Sequence, residues 1–417
     1  MTRTALVTGV TGQDGAYLAR FLLEKGYRVV GGQRRSSGGG DRRLRELRVA
    51  DAVEYVDFDL AEMTNIMRAL DRVKPDEIYN LAAQSFVALS FEQPLYTSDA
   101  DGIGPLRILE AVRHTVSSAR FYQASTSEMF GQARTVPQNE TTPFYPRSPY
   151  GVAKLFAHWA TINYRESYGI AASSGILFNH ESPLRGREFV TRKITDSLAR
   201  IRYGQLDVLE LGNLDAKRDW GFAGDYVVGM WKMLQHDEPQ DFVLATGEAH
   251  TVREFVQAAA EHLEFDIEWS GSGEQERGID RRSGRVIVRV NPAFYRPAEV
   301  ELLIGDARKA RRVLGWKREV GFRPLVAMMT EADARRVRDT VTAGNREVSS
   351  RGIAVAMLPE PRVFRAETRS RVLPSADAIV PGMALVRVGQ QRRRSRRPAL
   401  RALLAYLPRG AREILLR

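Results

Sequence analysis

Through its first 180 residues the chain alternates short apolar runs with longer amphipathic stretches, which predicts a parallel sheet with helices on both faces. Strands are expected at about 3–8, 27–32, 53–58, 76–81, 119–125 and 171–178, with helices between them. From about 180 to 340 the periodicity is more mixed. Helical stretches near 190–203, 225–235, 251–263, 306–314 and 322–340 are broken by loops rich in Gly, Asp and Arg. That suits a smaller, lid-like domain over the strand ends, where open sheets bind ligands. Beyond about 340 the composition shifts. Lys317 is the last lysine, and arginine and proline recur among irregular apolar stretches. Three regions are therefore expected: 1–180, to which segments around 215–250 return; 181–340; and a poorly ordered, Arg-rich tail, 341–417.

At 417 residues and 43% hydrophobic content, the chain can bury a core for two or three domains. No apolar run approaches the roughly 20 residues of a membrane span, and the chain opens on a strand-like segment instead of a signal peptide, so a cytoplasmic protein is expected. Cysteine is absent, which excludes disulfides, thiolate metal sites and cysteine nucleophiles. The six histidines do not cluster. His180-Glu181 begins like a zinc-protease motif, but Ser182-Pro183-Leu184 follows with no second histidine, so no metal is expected. The net charge of +11 suggests a nucleic-acid partner until it is located. Residues 341–417 hold 16 arginines and five acids, so the body is neutral and any polyanion or membrane-surface contact belongs to the tail.

Thr8-Gly9-Val10-Thr11-Gly12-Gln13-Asp14-Gly15 follows the first strand and opens the first helix. Glycines three apart let the chain turn tightly and bring backbone N–H groups to a pyrophosphate, the arrangement of a Rossmann-type doubly wound sheet. An NAD site would end the second strand in an acidic residue; here it ends in Gln33-Arg34-Arg35-Ser36, and two guanidinium groups suit the 2′-phosphate of NADP. Asp59-Leu60, after the third strand, is placed to meet the adenine. Leu81-Ala82-Ala83-Gln84-Ser85, after the fourth, is small enough to lie against the cofactor.

Tyr150 and Lys154, four apart on a predicted helix, share a face. A free tyrosine, with a pKa of about 10, is a poor base near neutrality unless a cation stabilises its phenolate, and Lys154 can supply that charge. Ser125-Thr126-Ser127-Glu128, at the end of the fifth strand, adds a hydroxyl and a carboxylate. Hydride transfer needs only tyrosine, lysine and a hydroxyl. Elimination also needs a group such as Glu128 to remove a carbon-bound proton.

These residues resemble the extended short-chain dehydrogenase/reductase family, and within it the GDP-mannose 4,6-dehydratase family. The resemblance covers about residues 3–340 and extends through Phe121-Tyr122-Gln123-Ala124-Ser125, Phe144-Tyr145-Pro146-Arg147-Ser148-Pro149-Tyr150, Asn179-His180-Glu181-Ser182-Pro183, Phe189-Val190-Thr191-Arg192-Lys193, Arg218-Asp219-Trp220 and Phe294-Tyr295-Arg296-Pro297-Ala298-Glu299. It implies oxidation of a nucleotide-bound sugar at carbon 4, loss of water across carbons 5 and 6 and return of hydride to carbon 6, with Thr126, Glu128, Tyr150 and Lys154 catalytic. Tyr96, His180 and Arg185 would touch NADP, and Arg34 and Arg35 its phosphate. Ser85, Asn179, Val190, Lys193, Arg218, Arg296 and Glu299 would line the GDP-mannose pocket. A homodimer or homotetramer is implied as well.

Two positions depart from that pattern. Gly31-Gly32 is expected to loosen the end of the second strand, and Pro105 to kink or restart the helix after Gly104, weakening a subunit interface. A GDP-heptose dehydratase, a nucleotide-sugar decarboxylase and a non-catalytic NADP-binding scaffold remain as alternatives.

Overall fold

Ala5-Leu6-Val7 has no exposed surface, as a strand covered on both faces requires. It forms the middle of β1 (Thr4–Thr8) in a computed structural model that describes residues 2–34, 40–294 and 302–355. β2 (Arg28–Gln33), β3 (Glu54–Asp57), β4 (Glu77–Asn80), β5 (Arg120–Thr126) and β6 (Ala172–Leu177) follow. The order across the sheet is β3-β2-β1-β4-β5-β6, with Phe242–Leu244 added beyond β6, and every pairing is parallel. This is the Rossmann-type sheet expected. Its strand order reverses between β1 and β4, which opens a crevice at the strand ends. The seventh strand was not foreseen, because three residues, Phe242-Val243-Leu244, are too short to show a period.

The expected strands and helices lie close to the observed ones, the helices being Val190–Arg202, Ala223–Gln235, Val252–His262, Arg308–Leu314 and Phe322–Val355. The last of them runs on past residue 341, and residues 356–417, most of the expected tail, lie outside the described residues. A second sheet was missed: Ile267–Ser270, Arg277–Asp280, Val286–Val290 and Leu209–Leu211. Its strands are short and rich in charge, such as Arg277-Gly278-Ile279-Asp280, and read as loop.

Gly31-Gly32 does not loosen β2, which pairs with both neighbours through Gly31 and Gly32. A Cβ on Gly31 would lie 2.5 Å from Val10 Cγ1, and one on Gly32 3.1 Å from Phe58 Cβ, so the missing side chains let adjoining loops close over the strand. Pro105 does not restart its helix: helical winding runs on from Pro94–Ser98 through a π-helical turn over Asp99–Ile103, where Gly104 N donates to Asp99 O, into Gly104–Thr115, and the proline sits where the π turn gives way to α-helix.

One buried ion pair ties the helix Phe322–Val355 to the other described elements. Arg192 and Asp333, 1% and 0% exposed, meet at 2.6 Å, and Thr195 Oγ1 donates to the same carboxylate oxygen at 2.7 Å. Arg192 Nη1 also donates to the carbonyls of Pro183 and Arg185, 2.8 Å each. Among the described residues no helix is long and apolar enough to cross a membrane.

Candidate active site

The crevice at the strand ends is a cleft of about 1080 Å³. Its lining includes the glycine turn. Gly9 has φ +66°, and a Cβ there would lie 2.8 Å from Ala82 N; on Gly15 it would lie 2.3 Å from Gly9 O. Only glycine permits both approaches. Gly12 caps the helix Gln13–Glu24 and brings no side-chain hydrogen bond to its first amides, which suits a pyrophosphate. Thr8 Oγ1 donates to Asn80 Oδ1 at 2.7 Å and accepts from Leu81 and Ala82 N at 3.1 Å each. Asn80 Nδ2 in turn donates to Gln123 Oε1, and Gln123 Nε2 to Ala124 O. A line of side chains thus fixes the ends of β1, β4 and β5 relative to one another.

Gly9, Thr11, Gly12, Gln13, Asp14, Gly15, Arg34, Asp59, Leu60, Leu81, Ala82, Ala83, Gln84, Ser85 and Tyr96 all line the cleft. Arg35 lies outside the described residues. Arg43, which was not singled out, closes the turn from behind by donating to Thr11 O at 3.1 Å and Leu184 O at 2.7 Å.

His180 and Arg185 also line the cleft, but His180 is committed to the protein. Its Nδ1 lies 2.7 Å from Phe178 O, an acceptor only, and its Nε2 2.7 Å from Asp14 Oδ2, while the ring stacks on Tyr226 at 4.6 Å. Burial lowers the imidazole's affinity for a proton; the charge and hydrogen bond of Asp14 more than offset it, and the net shift is upward. Asp14 shifts down for the converse reason, burial being outweighed by His180. With both ring nitrogens spent, its carbonyl accepting from Gln13 Nε2 at 3.0 Å and one ring face on Tyr226, residue 180 is left the other ring face for any ligand. Arg185 lies against Phe189, 3.5 Å from the ring centre, and pairs with Glu181 at 3.1 Å.

Thr126, Glu128, Tyr150 and Lys154 line the same cleft. Ser148 caps the helix Pro149–Tyr168 through Gly151 N, and Pro149 opens it, so the helix starts where Tyr150 is needed. A Cβ on Gly151 would lie 2.8 Å from Glu128 O; this glycine lets the helix press against the turn Ser127–Met129 that carries Glu128. Thr126, Tyr150 and Lys154 are buried, and Glu128 is half-buried. Thr126 Oγ1 accepts from Glu128 N at 3.2 Å, and Lys154 Nζ donates to Ala124 O at 3.1 Å. Burial, then the charge of Asp101, push the Tyr150 phenol well up, while the Thr126 hydroxyl pulls it down. Burial lowers Lys154 and Asp101 raises it. Neither Asp101 nor His158 was singled out in the sequence. His158, one turn beyond Lys154, is 3.1 Å from Ser125 Oγ through Nδ1, and burial favours its neutral form.

Asn179, Val190, Lys193 and Arg218 line the cleft as well. Lys193 Nζ sits 3.5 Å from the centre of the Phe294 ring, and burial lowers its proton affinity. Arg296 and Glu299 lie outside the described residues. Every proposed site residue within the described chain therefore borders one cleft: an anion-binding turn, a hydroxyl–carboxylate–phenol–ammonium group, and further cations. Such a site can hold a dinucleotide beside a second phosphorylated ligand and move protons between them.

Residues 6–329 match the sequence model of a family described as GDP-mannose 4,6 dehydratase. The chain is similar to a GDP-mannose 4,6-dehydratase of Sinorhizobium fredii, 54% identical over 345 residues, which covers 81% of this chain and 98% of the relative. A human GDP-mannose 4,6 dehydratase is 52% identical over 347 residues, covering 81% and 93%. Among solved structures, a dTDP-glucose 4,6-dehydratase from Streptomyces venezuelae, determined with NAD bound, superposes with a TM-score of 0.67 at 21% identity, covering 79% and 96%; at that identity the likeness concerns the fold.

Proposed function

The chain belongs to the GDP-mannose 4,6-dehydratase family, and from there we propose that it is an NADP-dependent hydro-lyase converting GDP-α-D-mannose to GDP-4-keto-6-deoxy-D-mannose and water. The observation that carries this reading is the convergence of Thr126, Glu128, Tyr150 and Lys154 on the cleft that also contains the glycine turn.

The turn fits a dinucleotide: side chains at Gly9 or Gly15 would strike the Ala82 backbone or the Gly9 carbonyl, so glycine keeps the turn tight, and the first amides of the helix it opens have no side-chain cap. Arg34, bordering the cleft just after β2 where a carboxylate would favour NAD, supports NADP, with Arg35 beside it in sequence. Bound there, an oxidised dinucleotide would supply a hydride acceptor for carbon 4 and, once reduced, a hydride donor for carbon 6. Tyr150 takes the proton of the carbon-4 hydroxyl, and Thr126 holds the oxygen. The resulting ketone acidifies carbon 5. Glu128 removes that proton and passes it to the departing carbon-6 hydroxyl, which leaves as water. The proton held on Tyr150 is then available to carbon 5, so the sugar has lost one water and the cofactor is unchanged. Lys193, Arg218 and Arg296 face the diphosphate of the substrate, Ser85, Asn179, Val190 and Glu299 line the rest of its pocket, and Arg185 contacts the dinucleotide.

Incubation with GDP-mannose should give a product lighter by one water, seen by mass spectrometry, with no net reduction of NADP. Glu128→Gln should slow it by about 10²- to 10⁴-fold while NADP stays bound; product at the normal rate would refute the role of Glu128. UDP-glucuronate and a GDP-heptose are the comparison substrates: carbon dioxide from the first, or a faster dehydration of the second, would reassign the activity.

We also propose that the protein works in the cytoplasm as a homodimer or homotetramer. Val152, Phe156 and Trp159, 56%, 45% and 55% exposed, share one face of the Tyr150 helix, an apolar stripe that a second copy would cover. Sedimentation equilibrium tests it; a monomer at micromolar concentration would exclude it.

A further inference from the structure

Asp101 is a buried carboxylate that the mechanism above does not use. It has no exposed surface and sits in the π-helical turn Asp99–Ile103, which is wedged against the Tyr150 helix: a Cβ on Gly102 would lie 3.4 Å from Ala153 O. Asp101 Oδ1 accepts from Gln84 N at 2.7 Å, while Oδ2 is buried without a hydrogen-bond partner. Burying an ionisable group so incompletely satisfied is unfavourable to folding, and such groups concentrate where their charge is used.

We infer that Asp101 is a positioning residue of the reaction: its carboxylate is the fixed counter-charge of the Lys154 ammonium and sets the pH range over which the Tyr150 phenol can act. The inference rests on the roles proposed above for those two residues. Lys154 Nζ has a neutral acceptor, Ala124 O, in a dry setting that favours the uncharged amine. A nearby carboxylate keeps it charged. The same negative charge opposes formation of the phenolate, so it holds both groups protonated to higher pH. Burial pushes Asp101 itself up to about 6, with Lys154 pulling the other way, so it is ionised above neutrality.

Other groups face this cluster. Glu128, from the turn after β5, raises Tyr150, and Arg185, from the loop after the short strand Asn179–Glu181, lowers it. Asp99, on the same turn as Asp101, is paired with Arg107 of the next helix at 2.8 Å. Tyr96 comes from the preceding helix, Pro94–Ser98. Asp101 is the member of this set that acts on Tyr150 and Lys154 together.

Asp101→Asn keeps an acceptor for Gln84 N and removes the charge. Two measurements are made on the full chain: the rate of product formation from GDP-mannose against pH, and the tyrosinate absorbance of the substrate-free protein, taken as the difference from a Tyr150→Phe background. In the variant both limbs of the rate profile should move to lower pH by about one unit or more, the scale of a single close charge, and the Tyr150 midpoint should fall with them. Asp101→Glu, which restores the charge, should move the limbs back. A uniform loss of rate with unmoved limbs and midpoint would overturn the inference and leave Asp101 a support for the Gln84 loop. Asp101→Ser carries the same comparison if the asparagine variant does not fold. Absence of product from the parent protein would instead refute the dehydratase reading, and the tyrosinate titration would still decide the effect of Asp101.

Discussion

The paired His180 and Asp14 make part of the stability of the cofactor turn depend on pH, and the sign follows from the two shifts. Asp14, whose folded value is depressed, contributes stability above its unfolded pKa of about 4 and loses it as pH falls through the folded value. His180, whose folded value is raised, contributes fully below its unfolded pKa of about 6.5 and loses it as pH climbs through the folded value. The pair should therefore stabilise most between about pH 4 and 6.5. Asp14→Asn should lower the melting temperature within that window and flatten its decline on the alkaline side; an unchanged slope from pH 6.5 to 9 would exclude a charged His180. Asp14 and His180 could be found in the sequence because each stands in a short motif at a strand end. Asp101 could not. Thr97-Ser98-Asp99-Ala100-Asp101-Gly102 has the composition of an exposed turn, and only packing against the Tyr150 helix buries it.

Between elements, the proposed chemistry depends on the contact that Gly151 allows. Its absent side chain brings the Tyr150 helix onto the carbonyl of Glu128, so the spacing between phenol and carboxylate is set by backbone contact. Gly151→Ala should cost about 1–3 kcal/mol of stability as the added methyl is accommodated. Turnover should fall further than that implies, on the order of 10- to 100-fold, because reacting groups tolerate little displacement. A melting curve together with kcat separates the two effects, and an alanine variant with normal kcat would mean that the turn can shift without harm. Rossmann strands and helices were legible because each crossover repeats a strand, a turn and an amphipathic helix. The four-stranded sheet of the smaller half was not: its residues alternate charge with isolated apolar positions, and their burial depends on the helices Val190–Arg202 and Val252–His262 packed against them.

Across the whole molecule, the charge excess belongs to residues 341–417, while the cleft draws on residues up to Phe294. Truncation after Val355 should therefore leave turnover with GDP-mannose within about twofold, and should weaken salt-dependent retention on a polyanion resin. Loss of turnover would place part of the site in the removed segment.

Asp333 extends the reach of the cleft in the other direction. Through Arg192 it holds the backbone of Pro183 and Arg185, so a dinucleotide that contacts Arg185 should stabilise the helix Phe322–Val355, and that helix should favour the dinucleotide in equal measure. A saturating dinucleotide should slow deuterium uptake around residues 325–340, and neutralising the helix anchor with Asp333→Asn should loosen dinucleotide binding without touching the pocket wall.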